Sequence, residues 1–258
     1  MEYVKANIEA WNKRTNIHIC SSFYDVEGFE AGNTSLCEIE LAELQNVENK
    51  HFLHLQCHFG LDTLSWARKG AIVTGVDFSP KSIQQAIKLS RKLDVKASFV
   101  CSDVYEYNSI RNGKKFDVVF TSYGAICWLP CLNQWAKTVA NCLKQGGMFY
   151  MVEFHPFNDF IDGESYFHSI NPQVSDEATY TENDKGEKSK IFTWSHPVSN
   201  VVNALINEGL TIKYFNEFDF SPYNCFKGLV ENEPGRYYKK YGEQSIPLVY
   251  SLCAIKNT

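Results

Sequence analysis

No stretch of this 258-residue chain approaches the 18 or so consecutive apolar residues of a membrane span. Met1 to Arg14 (MEYVKANIEAWNKR) also lacks the apolar centre of a secretion signal, so a cytoplasmic protein with no membrane partner is expected. Lys and Arg never run longer than two together and the formal net charge is −5, which argues against a phosphate-tracking partner such as DNA or RNA. Nine cysteines are present but no C-x-x-C pair, which removes the commonest zinc and dithiol patterns. His54 and His58 have helical ligand spacing but fall on a strand and the loop after it, so no metal is expected. Several cysteines, Cys101 and Cys253 among them, sit in apolar strand patterns, and in a reducing compartment they are expected to be mostly small buried hydrophobes. Internal repeats and low-complexity tracts are missing as well.

What is present is an ordinary globular composition, 44% apolar and 21% charged, long enough to bury about three quarters of its surface. One large α/β domain with an elaboration fits this better than two independent domains. From residue 52 onward short apolar runs alternate with helical patterns, the signature of βαβ units and a parallel sheet. Five strands are predicted: Phe52 to Gln56, Ala71 to Asp77, Ala97 to Cys101, Phe116 to Thr121 and Met148 to Phe154. Ser79-Pro80 offers a cap and a first-turn proline to a helix with Ile83, Ala86, Ile87 and Ser90 on one face. A second helix, from Leu132, carries Trp135, Ala136, Val139, Ala140 and Leu143 and is expected to stop at Gly146-Gly147. After Phe154 the rhythm breaks, and Asp176 to Lys190 is polar enough for an exposed loop or hairpin. Pro197 to Leu205 is helical, ended by Gly209. Two late strands, about Thr211 to Asn216 and Pro247 to Ile255, flank an aromatic-rich connection of the kind that covers a site.

The first strand runs into a tight loop, His54-Leu55-Gln56-Cys57-His58-Phe59-Gly60, followed by a helix. Such a turn at the carboxyl end of a parallel strand is where doubly wound sheets bind nucleotide-like ligands. Only Gly60 remains of the glycines in G-x-G-x-x-G, which disfavours a pyrophosphate cofactor such as NAD or FAD. Asp77 ends the second strand, where its carboxylate can accept both hydroxyls of a ribose while Phe78 covers an adenine; alternatively Asp77 only caps the helix from Pro80. Asp103 ends the third strand and either accepts from an adenine amino group or is a turn residue.

This ordered set, with the Phe116-Asp117-Val118-Val119-Phe120 strand and Gly146-Gly147, resembles the class I S-adenosylmethionine-dependent methyltransferases over roughly Phe52 to Phe154. The family's usual acidic residue and first two glycines correspond to His54, Gln56 and His58, a variant similar to that of a subset of small bacterial members. The resemblance implies a doubly wound, Rossmann-like seven-stranded sheet of order 3-2-1-4-5-7-6 with the last strand antiparallel. It also implies S-adenosylmethionine as cofactor, held by His54, Gln56, Cys57, His58 and Gly60 after the first strand and by Asp77 and Phe78 after the second. Ser102, Asp103 and Val104 after the third strand, and Ser122 and Tyr123 after the fourth, complete the set. Residues 1–50 are expected to form an N-terminal cap and 51–258 the methyltransferase domain, with 157–195 a cap insertion.

The expected activity is in-line methyl transfer to a small-molecule acceptor, in which the enzyme mainly aligns the reactants and excludes water. Tyr24, Tyr123, Trp128, His155 and Tyr166 are expected to meet the acceptor, although the aromatics also suit core packing. His155, at the end of the fifth strand, has a titration range fit for a general base; the alternative is an exposed turn residue. Two other functions stay open: a non-catalytic cofactor-binding module, and a nicotinamide-dependent oxidoreductase.

Overall fold

A computed structural model describes residues 2–257. Seven strands form the main sheet: β1 (His51–Leu55), β2 (Ile72–Asp77), β3 (Ser98–Cys101), β4 (Phe116–Ser122), β5 (Leu143–Phe154), β6 (Leu210–Phe218) and β7 (Val249–Lys256). Their order is β3-β2-β1-β4-β5-β7-β6. The first five are mutually parallel, and β7 runs antiparallel to both neighbours. This is the expected seven-stranded, Rossmann-like α/β sheet.

Period-2 alternation builds a core on each face. Leu53, Val119, Phe149 and Met151 point to one side, where helices Leu132–Cys142 and Val198–Asn207 supply Trp135, Val139, Val201 and Leu205. Phe52, Val118, Phe120, Tyr150 and Val152 point to the other side, covered by Trp66 and by Leu36, Ile39, Leu44 and Val47 of the N-terminal segment. That segment carries helices Glu2–His18, Val26–Glu30 and Glu38–Glu43. The helix after β2 starts as the sequence suggests, with the Ser79 hydroxyl accepting from the Ser82 N–H and proline in the first turn.

Two expectations need correction. The helix from Leu132 ends at Cys142, and Gly146-Gly147 instead lie inside β5, whose register shifts near Phe116 and where Gly146 adopts φ 70°. The glycines thus serve an irregular strand entry rather than a helix stop. Cys101 is exposed because β3 is an edge strand; Cys57, Cys142 and Cys253 are the buried thiols. The polar stretch from Asp176 belongs to the expected hairpin, Gln173–Glu177 with Ser189–Thr193, which packs on the N-terminal helix. There Thr179 Oγ1 lies 2.6 Å from His18 Nε2, and Asn183 donates to the Ile17 carbonyl at 2.9 Å.

No helix among the described residues is long and apolar enough to cross a membrane.

Candidate active site

The parallel strands deliver their carboxyl ends to one edge of the sheet. Above it the N-terminal helices, the hairpin and the β6–β7 connection close a cavity of about 1060 Å³. This is at the upper end of the range of about 300–1,000 Å³ usual for a small-molecule site.

The first loop keeps the backbone of a glycine-rich turn without its glycines. Gln56 (φ 59°) and His58 (φ 50°), the positions matched to glycine, both lie in the left-handed region, as does Gly60 (φ 83°). Only the third position is sterically closed: a Cβ on Gly60 would come within 2.7 Å of the Phe99 ring. At the other two, side chains offset the strain with hydrogen bonds. Gln56 Nε2 donates to the Ala125 carbonyl at 2.6 Å, while Gln56 Oε1 is a buried acceptor with no protein partner. His58 Nδ1 lies 3.1 Å from Ser82 Oγ and its Nε2 lies 2.9 Å from His18 Nδ1, so a hydrogen-bonded chain ties this loop to the cap helix.

Asp77 lies 7% exposed at the end of β2 and lines the cavity. Its Oδ2 accepts from the His58 N–H at 2.9 Å and its Oδ1 from the Ser79 N–H at 2.8 Å. Ser79, not Asp77, is the helix cap. Burial pushes the Asp77 carboxyl up to about 7, against the opposing pull of those two amides. Each oxygen retains lone-pair capacity toward the cavity. Phe78 lines the cavity beside it, as do Ser102, Asp103 and Val104 after β3. Asp103 also caps its own helix, accepting from the Tyr105 N–H at 2.7 Å, so the turn role and the cavity-facing position coexist.

His54 is buried, with Nδ1 2.9 Å from Thr63 Oγ1 and Nε2 3.4 Å from Ser122 Oγ; burial holds its pKa down to about 3, so the ring is neutral. Asp62, in the first turn of the next helix, meets the same Ser122 hydroxyl. Its carboxylate accepts from the Ser35 hydroxyl at 2.7 Å and the Ser122 hydroxyl at 3.0 Å.

After β4, Tyr123 takes φ 28° and Gly124 φ 73°. Glu153, 2% exposed on β5, holds this turn: its carboxylate accepts from the N–H groups of Gly124, Ala125 (2.8 Å), Ile126 (3.2 Å) and Phe154 (2.7 Å). The Tyr123 hydroxyl donates to Glu40 Oε2 at 2.9 Å, and burial raises the Glu40 carboxyl to about 8. Trp128 donates its indole N–H to the Gly124 carbonyl at 2.9 Å and presents its ring to the cavity.

All twelve residues expected at the cofactor line this one cavity, as do Tyr24 and Trp128. His155 and Tyr166 do not. The His155 ring turns toward β6, with Nε2 3.0 Å from Glu217 Oε1 and Nδ1 accepting from the Phe157 N–H at 3.1 Å, so both ring nitrogens are engaged outside the cavity. Glu153 still lies within β5 and faces inward, whereas the strand ends at Phe154 and His155 follows the chain as it turns toward β6. Tyr166 packs against Phe160 and Phe167 at the rim of the insertion. Sequence reasoning gave no role to Glu153, Asp62, Glu40 or Arg14. Only Asp62, a carboxylate one turn beyond a motif loop that lacks its acid, left a signal that was readable.

Residues 52–147 match the family model described as a methyltransferase domain. A curated relative, the ubiquinone biosynthesis O-methyltransferase of Coxiella burnetii, is 26% identical over 131 residues, 49% of this chain and 55% of that protein. The chain thus spans about half the length of the curated relatives it matches. Among solved structures, an S-adenosylmethionine-dependent methyltransferase from Clostridium acetobutylicum superposes with a TM-score of 0.61 at 14% identity, covering 96% of this chain and 99% of that one. A glycopeptide N-methyltransferase in complex with S-adenosylmethionine gives 0.54 at 13%, covering 84% and 92%. Residues 52–147 are thus similar to a methyltransferase domain, and the strand order and superpositions show that the whole chain has the fold of the S-adenosylmethionine-dependent methyltransferase structures.

Proposed function

We propose that this protein transfers a methyl group from S-adenosylmethionine to a small organic acceptor in the cytosol, with no nucleic acid partner. The observation that carries this reading is Asp77: a carboxylate fixed by two backbone amides, with free lone pairs, at the strand end beside Phe78 and Asp103. A ribose and adenine fit these three groups. When bound, the cofactor supplies a methyl carbon on a cationic sulfur. Three features of the chain suit that chemistry. Asp62, Asp77, Asp103 and Glu153 give the cavity an acidic lining complementary to a cation. Gln56 Oε1, a buried acceptor without a protein partner, suits the ammonium of the methionine end. The cap segments line the site with Trp11, Phe23, Tyr24 and Tyr223, which offer apolar contact to an acceptor.

With His155 turned away, alignment rather than a histidine base is proposed to carry the reaction. The test is incubation with methyl-labelled S-adenosylmethionine and pooled small-molecule acceptors, scoring labelled product and S-adenosylhomocysteine. Transfer is expected with an aromatic acceptor. Tight S-adenosylhomocysteine binding with no turnover on any pool would favour the non-catalytic module, and a response to NADP(H) the oxidoreductase.

A further inference from the structure

The cavity holds a buried cation whose own bonding is incomplete. Arg14, on helix Glu2–His18, is 6% exposed and lines the cavity. Its guanidinium carbon lies 5.5 Å from the centroid of Trp11 and 5.3 Å from that of Trp128, so indole rings flank it. Of its five N–H donors, one on Nη2 reaches the Ala178 carbonyl at 3.2 Å. The nearest carboxylate, Glu177, is 3.9 Å away on a side chain that is 54% exposed. Among the described residues, Nε and Nη1 meet no acceptor. Arg236 shows the contrast: at the surface, where pairing matters least, it gives Nε and Nη2 to both oxygens of Glu38 at 2.6 and 2.7 Å. A guanidinium taken out of water and left without its fork partner is costly unless an anion completes it.

We propose that the methyl acceptor carries a carboxylate, which Arg14 binds in bidentate fashion through Nη2 and whichever of Nε and Nη1 lies on the edge that the Ala178 contact leaves open. The inference rests on the methyltransferase reading and adds the substrate class. Location favours the acceptor over the cofactor as the source of the carboxylate. Arg14 is held by the cap helix, the segment after β4 and the hairpin, and none of its contacts comes from the ends of β2 or β3. Asp77 and Asp103 at the strand ends and Asp62 in the helix after the first loop repel an anion, whereas the neighbours of Arg14 are the aromatic rings of Trp11, Trp128 and Tyr180. A carboxylate on an aromatic or apolar body matches that setting.

Because Trp11 and Trp128 flank the guanidinium, binding is readable as a change in tryptophan fluorescence. Benzoate and its neutral isostere benzamide are titrated into the full chain with and without saturating S-adenosylhomocysteine. Benzoate should bind about tenfold or more tighter than benzamide. Arg14→Gln should erase that preference, Arg14→Lys should restore part of it, and the affinity for S-adenosylhomocysteine should change less than about threefold in both variants. Equal binding of benzoate and benzamide to the wild type overturns the proposal. So does a large loss of S-adenosylhomocysteine affinity in Arg14→Gln with benzoate binding intact, which assigns the carboxylate to the cofactor. Failure of the wild type to bind S-adenosylhomocysteine at all counts against the methyltransferase reading instead, and leaves the benzoate preference to be scored separately.

Discussion

Removing the Glu153 carboxylate should be among the most damaging single changes at the site, because besides lining the cavity it holds the turn after β4. Its two oxygens accept from four backbone N–H groups, those of Gly124, Ala125, Ile126 and Phe154, at a position 2% exposed. Glu153→Ala leaves all four donors facing a small void. Each buried donor left without a partner costs at least about 1 kcal/mol, so the loss is on the order of 4 kcal/mol. The turn it holds includes Tyr123 at φ 28°, and relaxing that backbone returns about 1 kcal/mol. The expected net loss is therefore roughly 3 kcal/mol. Glu153→Gln keeps one acceptor oxygen and turns an NH₂ toward the other amides, so it should lose about half as much. Urea unfolding measures both, as a lower midpoint with unchanged slope. A loss under about 1 kcal/mol in the alanine variant, or a glutamine variant equal to wild type, would refute the assignment of the carboxylate as the clamp of this turn.

Acid should test the neutral histidines. Burial holds His54 down to about 3, whereas in the unfolded chain it titrates near 6.5. Between these values the unfolded chain binds the extra proton, so the contribution of His54 is intact above about 6.5 and is lost as pH falls. The stability advantage of wild type over His54→Asn should narrow by roughly 1 kcal/mol between pH 7 and 5.5, and a constant difference would show that the ring protonates freely in the fold. In the first loop, Gln56→Gly should be almost neutral in stability, since about 1 kcal/mol of relieved left-handed strain offsets one lost hydrogen bond. Gln56→Val, with a β-branched residue in the same conformation, should cost about 2 kcal/mol, and equal costs for the two would mean that φ is not what constrains this position.

Much of this was legible in the sequence because periodicity and position carry it. The five parallel strands and the late antiparallel pair follow from runs such as Phe116 to Thr121, and strand ends are where side chains meet a ligand. Asp77, Asp103 and the first loop were found on that ground, and the left-handed backbone at Gln56 and His58 shows the glycine turn persisting beneath other side chains. What escaped was long-range: Glu40 reaches Tyr123 across 83 residues and Arg14 reaches Ala178 across 164. No local pattern encodes such pairings. His155 was misjudged for a simpler reason. Strand alternation sends neighbours to opposite faces, so Glu153 and His155 share one direction only while β5 stays regular, and past Phe154 the chain turns toward β6 instead.

The most direct test is a calorimetric titration of S-adenosylhomocysteine into the wild type and Asp77→Ala, repeated from pH 6 to pH 8. If the carboxylate accepts two charge-assisted bonds from the ribose, as proposed, it is worth roughly 3 kcal/mol, so the variant should bind on the order of a hundredfold more weakly. With the Asp77 carboxyl raised to about 7 in the free protein, wild-type affinity should climb as pH rises toward that value and level off above it, whereas the variant should show no such climb. An unchanged dissociation constant in Asp77→Ala, or the same pH profile in both proteins, would contradict the cofactor site described here.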